Sequence, residues 1–472
     1  MTRAWRVYAL GACAVASAVV LALEILAARV LAPMLGSGTA VWAALLAAAL
    51  GSLAAGNFLG GMLAARRPPQ AIVAWSLCLA ATVMAAAAWL YRPLTQACAQ
   101  GSLTAASLLA AGFLEGPPML LLGTIAPALI AAGDEKRRGP WAGWVLSAGS
   151  AGGIAGALAA GMWLIPAVGL ARTFVVLAFA LALAAVPACV RPVRPAGLVL
   201  LALAALAGIA RWPGGVSARV VESPYGQIEV RGDATERRLL VDGLPQTSLP
   251  PGEIAPGDAL RRGYLLELAF FGRPMREALV IGLGGGLVTR ILNAHGVHWH
   301  AVELDPEIVK IAREEFALPL PPESVTVGDG RQFLARNSAT FDLIVVDVCT
   351  ADRLPEHLFT REALALMRSR LRPGGILALQ FVSDDGEFAA SLRATARSVF
   401  PDPIIVRTRD PAPAPRWMLA SATPLPPIAP GAPFDALPET SGGQILTDDH
   451  FAAECAWART AQQWRGGYVS RP

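Results

Sequence analysis

The chain has 472 residues, of which 54% are hydrophobic and only 16% are charged, and its mean hydropathy is +0.50. This composition is too apolar for an ordinary soluble protein, and most of the apolar excess lies before about residue 211. The formal net charge of +4 comes largely from arginines between apolar segments, which indicates membrane orientation and excludes nucleic acid as the expected partner. We therefore predict a membrane part followed by a globular part.

The first part contains seven apolar segments joined by short loops. Glycine and alanine dominate these segments, which favours closely packed helices. We predict a multi-pass membrane domain over residues 1–211 that has the lipid bilayer as its partner. Its first segment lacks a small-residue cleavage site and is interpreted as a retained anchor. The segments are approximately 5–33, 41–65, 71–91, 103–132, 141–166, 170–190 and 196–211.

The positive charges between the segments predict the side on which the amino terminus lies. Most of them fall on the side of the amino terminus, whereas Arg92 and Arg172 fall on the other side. The positive-inside rule then makes the amino terminus cytoplasmic. Seven crossings would place the second part outside, but segment 196–211 is shorter than the roughly 20 residues that a span needs. We expect an inner-membrane protein whose second part is cytoplasmic.

Three charged residues, Glu24, Arg29 and Glu115, lie within or at the edges of the apolar segments. Buried charge is costly in a membrane, so each of them is a candidate for lining a polar cavity. The alternative is that Glu24 and Arg29 pair with each other or with another helix and serve only in assembly.

The second part opens with alternating apolar and polar residues over Arg219–Asp242, which predict a small β-hairpin region. The stretch Ala278–Gly296 then combines a short apolar strand, a glycine turn and a helical pattern. This combination is typical of the first crossover of a nucleotide-binding sheet. In such a turn Gly282, Gly284 and Gly286 let the backbone approach a ligand near the positive end of a helix.

Carboxylates follow the next three predicted strands. Glu303 ends the second strand, where a carboxylate can accept from both hydroxyls of a ribose. Asp329, beside Gly330, follows the third strand and accepts either from an adenine amino group or, as a helix N-cap, from a backbone N–H. Asp347 ends the fourth strand. Because parallel strands end at one edge of a sheet, the sequence predicts a nucleoside site there.

Composition also predicts the domain boundaries. The membrane domain covers 1–211, a Rossmann-like α/β domain covers 217–400 with the β-hairpin region at 217–250, and a carboxyl-terminal extension covers 401–472. The extension is rich in proline and is predicted to be largely irregular until Ile445–His450. The six cysteines are scattered without a CxxC pair, so neither a metal site nor a disulfide framework is expected.

The second part resembles the spermidine synthase (polyamine aminopropyltransferase) family, specifically its bacterial members with a multi-helix membrane region ahead of the catalytic domain. The resemblance covers about Val221 to Gln380 and rests on several motifs that occur together. These motifs are ESPYGQIEV, LLVDGLPQTS, the glycine turn, VELD, VGDGRQFL, FDLIVVD, PEHLFT and LRPGGILALQ. LTDDH and the membrane segment LALEILAARVLAPMLGSGTAVW are similar to sequences of the membrane-attached members. The resemblance implies a transferase with a methyltransferase-type Rossmann domain.

The resemblance also implies ligands and roles. The co-substrate would be decarboxylated S-adenosylmethionine, or S-adenosylmethionine, and the acceptor an amine such as putrescine. Glu303 would bind the ribose, Asp329 and Gly330 the adenine, and Gln246 would lie near the sulfur of the donor. Asp347 would hold and deprotonate the attacking amine, without a metal. A homodimer is a possible assembly.

Two departures from the family pattern remove acids. Gly285 stands where the glycine turn usually carries an aspartate for the donor's amino group. The catalytic strand end reads Asp347-Val-Cys-Thr350 instead of Asp-Ser-Ser-Asp, and Asp352 is the nearby residue that could replace the lost acid. A diamine carries two positive charges, so fewer acids weaken the case for putrescine.

Two further departures affect the region before the glycine turn. The expected tyrosine-histidine-glutamate motif appears as Tyr264-Leu-Leu. The glutamine expected directly after Tyr225 is Gly226, and Gln227 follows one place later. Gln227 is kept as a donor-binding candidate and Tyr225 as a substrate-binding candidate.

Three functions are therefore weighed. The first is an aminopropyltransferase that releases methylthioadenosine. The second is a methyltransferase or lyase that uses intact S-adenosylmethionine, which Gly285 favours because a missing aspartate leaves room for the donor carboxylate. The third is a polyamine- or nucleoside-sensing membrane protein that no longer catalyses, against which the retained Asp347 argues.

Overall fold

The computed structural model describes residues 2–35, 38–98, 103–134, 138–190, 219–232, 236–249, 274–321, 323–348, 354–381, 386–408, 416–425, 434–438 and 442–450. The chain divides into two compact units. The first, called the helical unit, comprises Met1–Ser217 and Val221–Gln227, and the second, called the α/β unit, comprises Ala218–Val220 and Ile228–Pro472.

The helical unit consists of apolar helices in its described part. These are α1 Arg3–Leu35, α2 Thr39–Ala64, α3 Pro69–Cys98, α4 Leu103–Gly123, α5 Ile125–Ala131, α6 Arg138–Ala159, α7 Ile165–Val168 and α8 Leu170–Ala185. A π-helical turn, Ala160–Leu164, joins α6 to α7, and the 3-10 turn Val186–Val190 follows α8.

Six helical stretches of the described residues are long and apolar enough to cross a membrane. They are Arg3–Ala32, Val41–Ala64, Pro69–Tyr91, Thr104–Ala131, Arg138–Val168 and Leu170–Ala188. These stretches correspond to the first six predicted segments. The seventh predicted segment, 196–211, lies outside the described residues.

Small residues bring the helices together, as the glycine-rich sequence predicts. A Cβ added at Gly152 or Gly156 of α6 would overlap the backbone of Ala14 or Ala18 of α1. Such close approach replaces long side chains by backbone contact and is typical of helices packed in an apolar unit.

Arg29 pairs neither with Glu24 nor with another helix, the two alternatives that the sequence offered. The Arg29 guanidinium lies 3.6 Å from the Glu222 carboxylate and also donates to the Ser223 carbonyl oxygen. Among the described residues no ion pair joins it to Glu24.

The predicted β-hairpin region is a four-stranded sheet. Its strands are β1 Arg219–Glu222, β2 Gln227–Gly232, β3 Arg237–Val241 and β4 Leu244–Leu249, in the order β1-β2-β3-β4. The alternation of residues in β2 buries Ile228 and Val230 on one face. Asp242 and Gly243, both with positive φ, make the tight turn between β3 and β4.

The main sheet of the α/β unit has the order β12-β10-β11-β9-β8-β5-β6-β7. Strands β9, β8, β5, β6 and β7 are parallel, while β11 is antiparallel to β9 and to β10. This arrangement confirms the predicted Rossmann-like, methyltransferase-type fold for the α/β unit. The strands are β5 Glu277–Ile281, β6 His298–Glu303, β7 Val325–Val327, β8 Phe341–Val346, β9 Leu371–Phe381, β10 Ile404–Thr408, β11 Arg416–Ser421 and β12 Phe434–Ala436.

Helices connect the parallel strands, and short polar residues begin several of them. The described helices are α9 Leu287–Ala294, α10 Pro306–Glu314, α11 Gly330–Arg336, α12 Arg361–Ser369 and α13 Gly386–Arg397, with a 3-10 turn at Glu356–Leu358. The carboxylate of Asp305 accepts from the Glu307 N–H at 2.9 Å, with Pro306 at the first helical position. Thr360 caps α12 in the same way through Ala363.

The prediction of a largely irregular extension after residue 401 is wrong. Strands β10, β11 and β12 lie in this part of the chain and complete one side of the main sheet. Their apolar residues are buried, with Trp417, Met418 and Leu419 fully enclosed. Prolines favour turns, but here burial of the residues between them decides the structure.

Candidate active site

The glycine turn connects β5 to α9 at the carboxyl edge of the sheet. Gly282 has a φ of +94°, and a Cβ added there would overlap the carbonyl oxygen of Asp347. The Asp347 N–H donates to the Ile281 carbonyl oxygen at 2.9 Å. Glycine is therefore required at 282 both by its backbone conformation and by the close approach of Asp347.

Glu303 at the end of β6 binds the glycine turn. Its carboxylate accepts from the Leu283 N–H at 2.8 Å and from the Asp305 N–H at 3.0 Å. Burial raises the pKa of the Glu303 carboxyl, and the hydrogen bonds from the two N–H groups act in the opposite direction. Each carboxylate oxygen can accept a second hydrogen bond, so ribose hydroxyls remain compatible with these contacts.

Asp329 ends the turn after β7 and caps α11. One carboxylate oxygen accepts from the Gln332 N–H at 2.8 Å, so the N-cap interpretation is confirmed. The other oxygen lies 2.8 Å from His357 Nε2. A Cβ added at Gly330 would overlap the Ile281 side chain, which places this turn directly beside the end of β5.

The structure thus brings together the predicted glycines Gly282, Gly284 and Gly286 with Glu303, Asp329, Gly330 and Asp347. The strands that carry these residues, β8, β5, β6 and β7, are neighbours in the sheet and end at the same edge. The parallel order follows from the right-handed crossovers that the alternating strand and helix patterns predict.

The structure does not place the other predicted site residues at this edge of the sheet. Gln246 lies in β4, and its side-chain N–H donates to the Leu244 carbonyl oxygen at 3.4 Å. Tyr225 is partly exposed and Gln227 donates to Glu222; both belong to the helical unit, and their roles stay predictions. Asp352 and Tyr264 lie outside the described residues.

Sequence reasoning missed Thr247, the neighbour of Gln246. The Gly285 N–H donates to Thr247 Oγ1 at 3.0 Å. A Cβ added at Gly285 would lie 2.8 Å from Thr247 Cγ2 and 3.2 Å from Phe316 Cδ1. Thr247 and Phe316 therefore occupy the space next to Gly285 that the sequence interpretation assigned to a donor carboxylate.

A second missed feature is the segment 442–450, called the rim segment, which contains LTDDH. Arg331 of α11 binds Asp448 with two hydrogen bonds of 2.7 and 2.6 Å. Thr360 donates to the same carboxylate at 2.7 Å, and the Arg361 N–H donates to the Leu446 carbonyl oxygen at 2.8 Å. The motifs PEHLFT and LTDDH carried this signal, since both were recognised without a role for His357 or Asp448.

A bidentate ion pair connects the rim segment to α11. The hydrogen bond from Arg331 lowers the pKa of the Asp448 carboxyl below its usual range. Arg331 also donates to the His357 carbonyl oxygen at 3.0 Å, so one guanidinium links the rim segment to the residue that contacts Asp329.

The chemistry of the edge is that of hydrogen-bond acceptance by carboxylates. Glu303, Asp329 and Asp347 give it an acidic character that suits a ligand with positive charge and hydroxyl or amino donors. Within the ranges that the structure describes, His, Cys, Asp and Glu form no group of three or more with the arrangement of a metal site.

Known proteins are similar to part of the α/β unit. Residues 264–400 match the spermine/spermidine synthase domain family. Over 179 residues the chain is 32% identical to polyamine aminopropyltransferase 2 of Pseudomonas aeruginosa. This alignment covers 35% of this chain and 50% of that protein. Over 131 residues it is 34% identical to the N-terminal histidine N-methyltransferase of Emericella nidulans, which covers 26% of this chain and 23% of that protein.

A crystal structure of a probable spermidine synthase from Corynebacterium glutamicum aligns with 50% of this chain and 99% of that chain, at 19% identity and a TM-score of 0.44. The chain spans half or less of the length of the two curated relatives named above. The comparisons thus show a match between part of the α/β unit and the spermine/spermidine synthase domain family, and similarity to transferases over that part.

Proposed function

We propose that this protein is an aminopropyltransferase attached to the membrane. Its α/β unit transfers the aminopropyl group of decarboxylated S-adenosylmethionine to an amine such as putrescine and releases methylthioadenosine. The observation that carries the proposal is the match of 264–400 to the spermine/spermidine synthase domain, in which Glu303, Asp329 and Asp347 share one sheet edge.

The proposed reaction needs a neutral amine and a positioned donor. The amine nitrogen attacks the aminopropyl carbon bound to sulfur, a C–N bond forms, and the electron pair of the C–S bond goes to the sulfonium, which becomes a thioether. The nitrogen loses one proton, which Asp347 takes. Glu303 and Asp329 hold the nucleoside so that the two reacting centres meet, which is where orientation lowers the barrier.

Asp347 is suited to this role by its backbone. Its N–H bonds to Ile281, and its carbonyl oxygen lies against Gly282, so two neighbouring strands set its position. A catalytic base held by strand backbone is less mobile than one on a free loop. This rigidity supports Asp347 as the amine-binding carboxylate.

A methyltransferase that uses intact S-adenosylmethionine is the second candidate. The relative from Emericella nidulans, an N-terminal histidine N-methyltransferase, favours it. The space beside Gly285 does not, because the Thr247 methyl group and the Phe316 ring already contact that position. The donor therefore has to be identified by experiment.

The test uses the full chain in detergent with separate titrations of S-adenosylmethionine, its decarboxylated form and methylthioadenosine, each with and without putrescine. We expect tighter binding of the decarboxylated donor, and release of methylthioadenosine only when putrescine is present. Tighter binding of the intact donor would favour the second candidate. Nucleoside binding without turnover on any amine or methyl acceptor would favour a sensing protein.

The role of Asp347 is tested by Asp347→Asn. We expect kcat to fall by about 10²- to 10⁴-fold, because the general base is lost, while the Kd for methylthioadenosine is unchanged. Asp402→Asn is the matched control, since Asp402 is exposed between α13 and β10. Undiminished turnover of Asp347→Asn would contradict the role.

We also propose that the helical unit spans the inner membrane and that the α/β unit is cytoplasmic. Six helices of sufficient length support this topology, since an even number of crossings returns the chain to the side of its amino terminus. The arginines beside that terminus and in the loop after α2 carry the positive-inside signal. The donor nucleoside is a cytoplasmic metabolite in this proposal, and a homodimer stays a prediction.

A further inference from the structure

Glu115 is a buried carboxylate whose two oxygens have no hydrogen-bond partner among the described residues. It lies on α4, is 0% exposed, and is enclosed where α4 packs against α1, α2 and α3. A buried polar group without a partner costs free energy in either protonation state, because a neutral carboxyl group also has a donor and an acceptor to satisfy. The enclosure therefore points to a partner that is not a side chain.

A second carboxylate lies close enough to act on the first. Glu24 of α1 is partly buried and interacts electrostatically with Glu115. Neither carboxylate forms an ion pair with a described cationic side chain, and Arg29 of α1 is engaged by Glu222 at 3.6 Å. Two carboxylates without a cation are repulsive unless a proton or a positively charged ligand joins them.

The backbone adds acceptors to the same place. Pro117 and Pro118 lie inside α4 and have no N–H, so the carbonyl groups of Phe113 and Leu114 lose their regular helical donors. These carbonyl groups belong to the two residues directly before Glu115. On the adjoining helix, Ser52 Oγ, which can donate or accept, would lie 3.5 Å from a Cβ at Gly116. The surroundings of Glu115 thus add two carbonyl acceptors and, among the described residues, no cationic donor.

Aliphatic side chains lie next to both carboxylates along their helices. Leu23 precedes Glu24 in α1, and Met119 and Leu122 follow Glu115 by four and seven residues on the same face of α4. All three are buried in the core of the helical unit. A ligand that matches both parts has N–H donors with positive charge at one end and methylene groups behind them. An inorganic cation would satisfy the acceptors and leave the aliphatic surface without a counterpart.

We propose that Glu24 and Glu115 form a binding site for a protonated alkylamine within the helical unit. The ammonium group donates to the two carboxylates and to the carbonyl groups released by the proline pair, and the alkyl chain lies against the leucines. The site belongs to the helical unit alone and does not depend on the reaction proposed for the α/β unit.

The first test measures binding of radiolabelled putrescine to the full chain in detergent by equilibrium dialysis. It compares four proteins: the unchanged chain, Asp347→Asn, Glu115→Gln and the double variant. We expect one bound putrescine to remain in each single variant and none in the double variant. Asp134→Asn, which removes an exposed carboxylate of the same unit, is the matched control and should bind as the unchanged chain does.

The variants separate this inference from the proposed function. One putrescine bound to the double variant would overturn the helical site. No putrescine bound to Asp347→Asn would overturn it as well. Loss in Glu115→Gln together with full binding in Asp347→Asn would support the helical site and count against the amine-binding role of Asp347. We expect Glu24→Gln to weaken the helical site by at least about tenfold, because a charge-assisted hydrogen bond is lost.

A second test does not depend on variants. Dicyclohexylcarbodiimide modifies carboxyl groups in apolar surroundings, and peptide mass spectrometry locates the modified residue. We expect Glu115 to be modified, and putrescine or butylamine to protect it, whereas tetramethylammonium, which has no N–H donor, does not. Equal protection by sodium chloride at the same concentration, or no protection by either amine, would overturn the proposal.

Discussion

The Thr247 side chain lies beside Gly285 of the glycine turn. Its hydroxyl accepts from the Gly285 N–H at 3.0 Å, and its methyl group lies where a side chain at 285 would begin. A side chain at 285 would therefore require Thr247 to shift. A change at Gly285 thus has to be paired with a change at Thr247, a link that the sequence does not show until β4 is seen beside the turn.

We predict that Gly285→Asp alone destabilises the chain and abolishes donor binding, because overpacking of this kind costs about 1–3 kcal/mol. Gly285→Asp combined with Thr247→Gly should recover stability and tighten binding of a donor with a free amino group. Thermal unfolding and donor Kd are measured for both variants and for Thr247→Gly. A stable Gly285→Asp single variant with unchanged donor Kd would contradict the paired change.

Glu303 leads to a prediction about pH. Burial raises the pKa of its carboxyl in the folded chain. The folded state therefore holds its proton at a higher pH than the unfolded state does, and this contribution to stability is present below the unfolded pKa and lost as pH rises through the folded pKa. Ribose binding has the opposite dependence, because only the ionised carboxylate accepts from both hydroxyls.

We expect the affinity for methylthioadenosine to fall as pH is lowered towards the raised pKa of Glu303, while the Glu303 contribution to the free energy of unfolding increases. Glu303→Gln should bind more weakly at neutral pH and should lose this pH dependence. Titration calorimetry between pH 5 and 8 measures the first effect. The same pH dependence in Glu303→Gln would assign it to another group.

The rim segment is held by side chains of three helices and by one isolated bridge between Thr447 and His450. Arg331 and Thr360 bind the Asp448 carboxylate, and Glu362 accepts from the Asp448 N–H at 3.1 Å. On α13, Thr395 accepts from the Leu446 N–H at 2.9 Å. The Arg331–Asp448 pair is partly exposed, so its two hydrogen bonds matter more through geometry than through charge.

We predict that Arg331→Ala loosens the rim segment and weakens nucleoside binding without unfolding the sheet. Amide exchange at Asp448 should become faster, and the Kd for methylthioadenosine should rise. Arg336→Ala, which removes an exposed arginine from the last turn of the same helix, is the control. Because Asp448 has a lowered pKa, its contribution is lost only as pH falls through that value, and attachment should be constant from pH 5 to 8. Unchanged exchange at Asp448 in Arg331→Ala would exclude the role.

Some strands could be predicted from the sequence and others could not. Strands β5, β6 and β8 and the turn with Gly282 follow directly from apolar runs, glycines and the carboxylates behind them. The sequence indicates local partners well, so the N-cap role of Asp329 was foreseen. It does not indicate long-range partners, and therefore Thr247 beside Gly285 and Asp448 beside Arg331 were missed. Strands β10 to β12 were missed because prolines between them outweighed their apolar residues.

At the scale of the whole molecule, the two units differ in what buries their apolar residues. The α/β unit encloses its core between the sheet and its helices. The helical unit leaves many large apolar side chains exposed on its outer surface, among them Phe58, Trp144 and Phe179. Exposed apolar surface of this extent on consecutive long helices supports the proposed membrane environment.

The number of membrane crossings determines the side on which the α/β unit lies. Six helices would bring the chain back to the amino-terminal side after α8, and 196–211 decides whether it crosses again. A seventh crossing would separate the α/β unit from a cytoplasmic donor, so catalysis and topology are linked: the proposed reaction requires an even number.

Reporter fusions test this link. Alkaline phosphatase and green fluorescent protein are fused in turn after Pro68, after Gly101 and after Pro472. We expect fluorescence at Pro68, phosphatase activity at Gly101 and fluorescence at Pro472, because the loop after α2 carries Arg66 and Arg67 and is cytoplasmic by the positive-inside rule. Phosphatase activity at Pro472, with the two loop fusions as expected, would mean that 196–211 crosses the membrane. The α/β unit would then lie outside, and a cytoplasmic nucleoside could no longer be its donor.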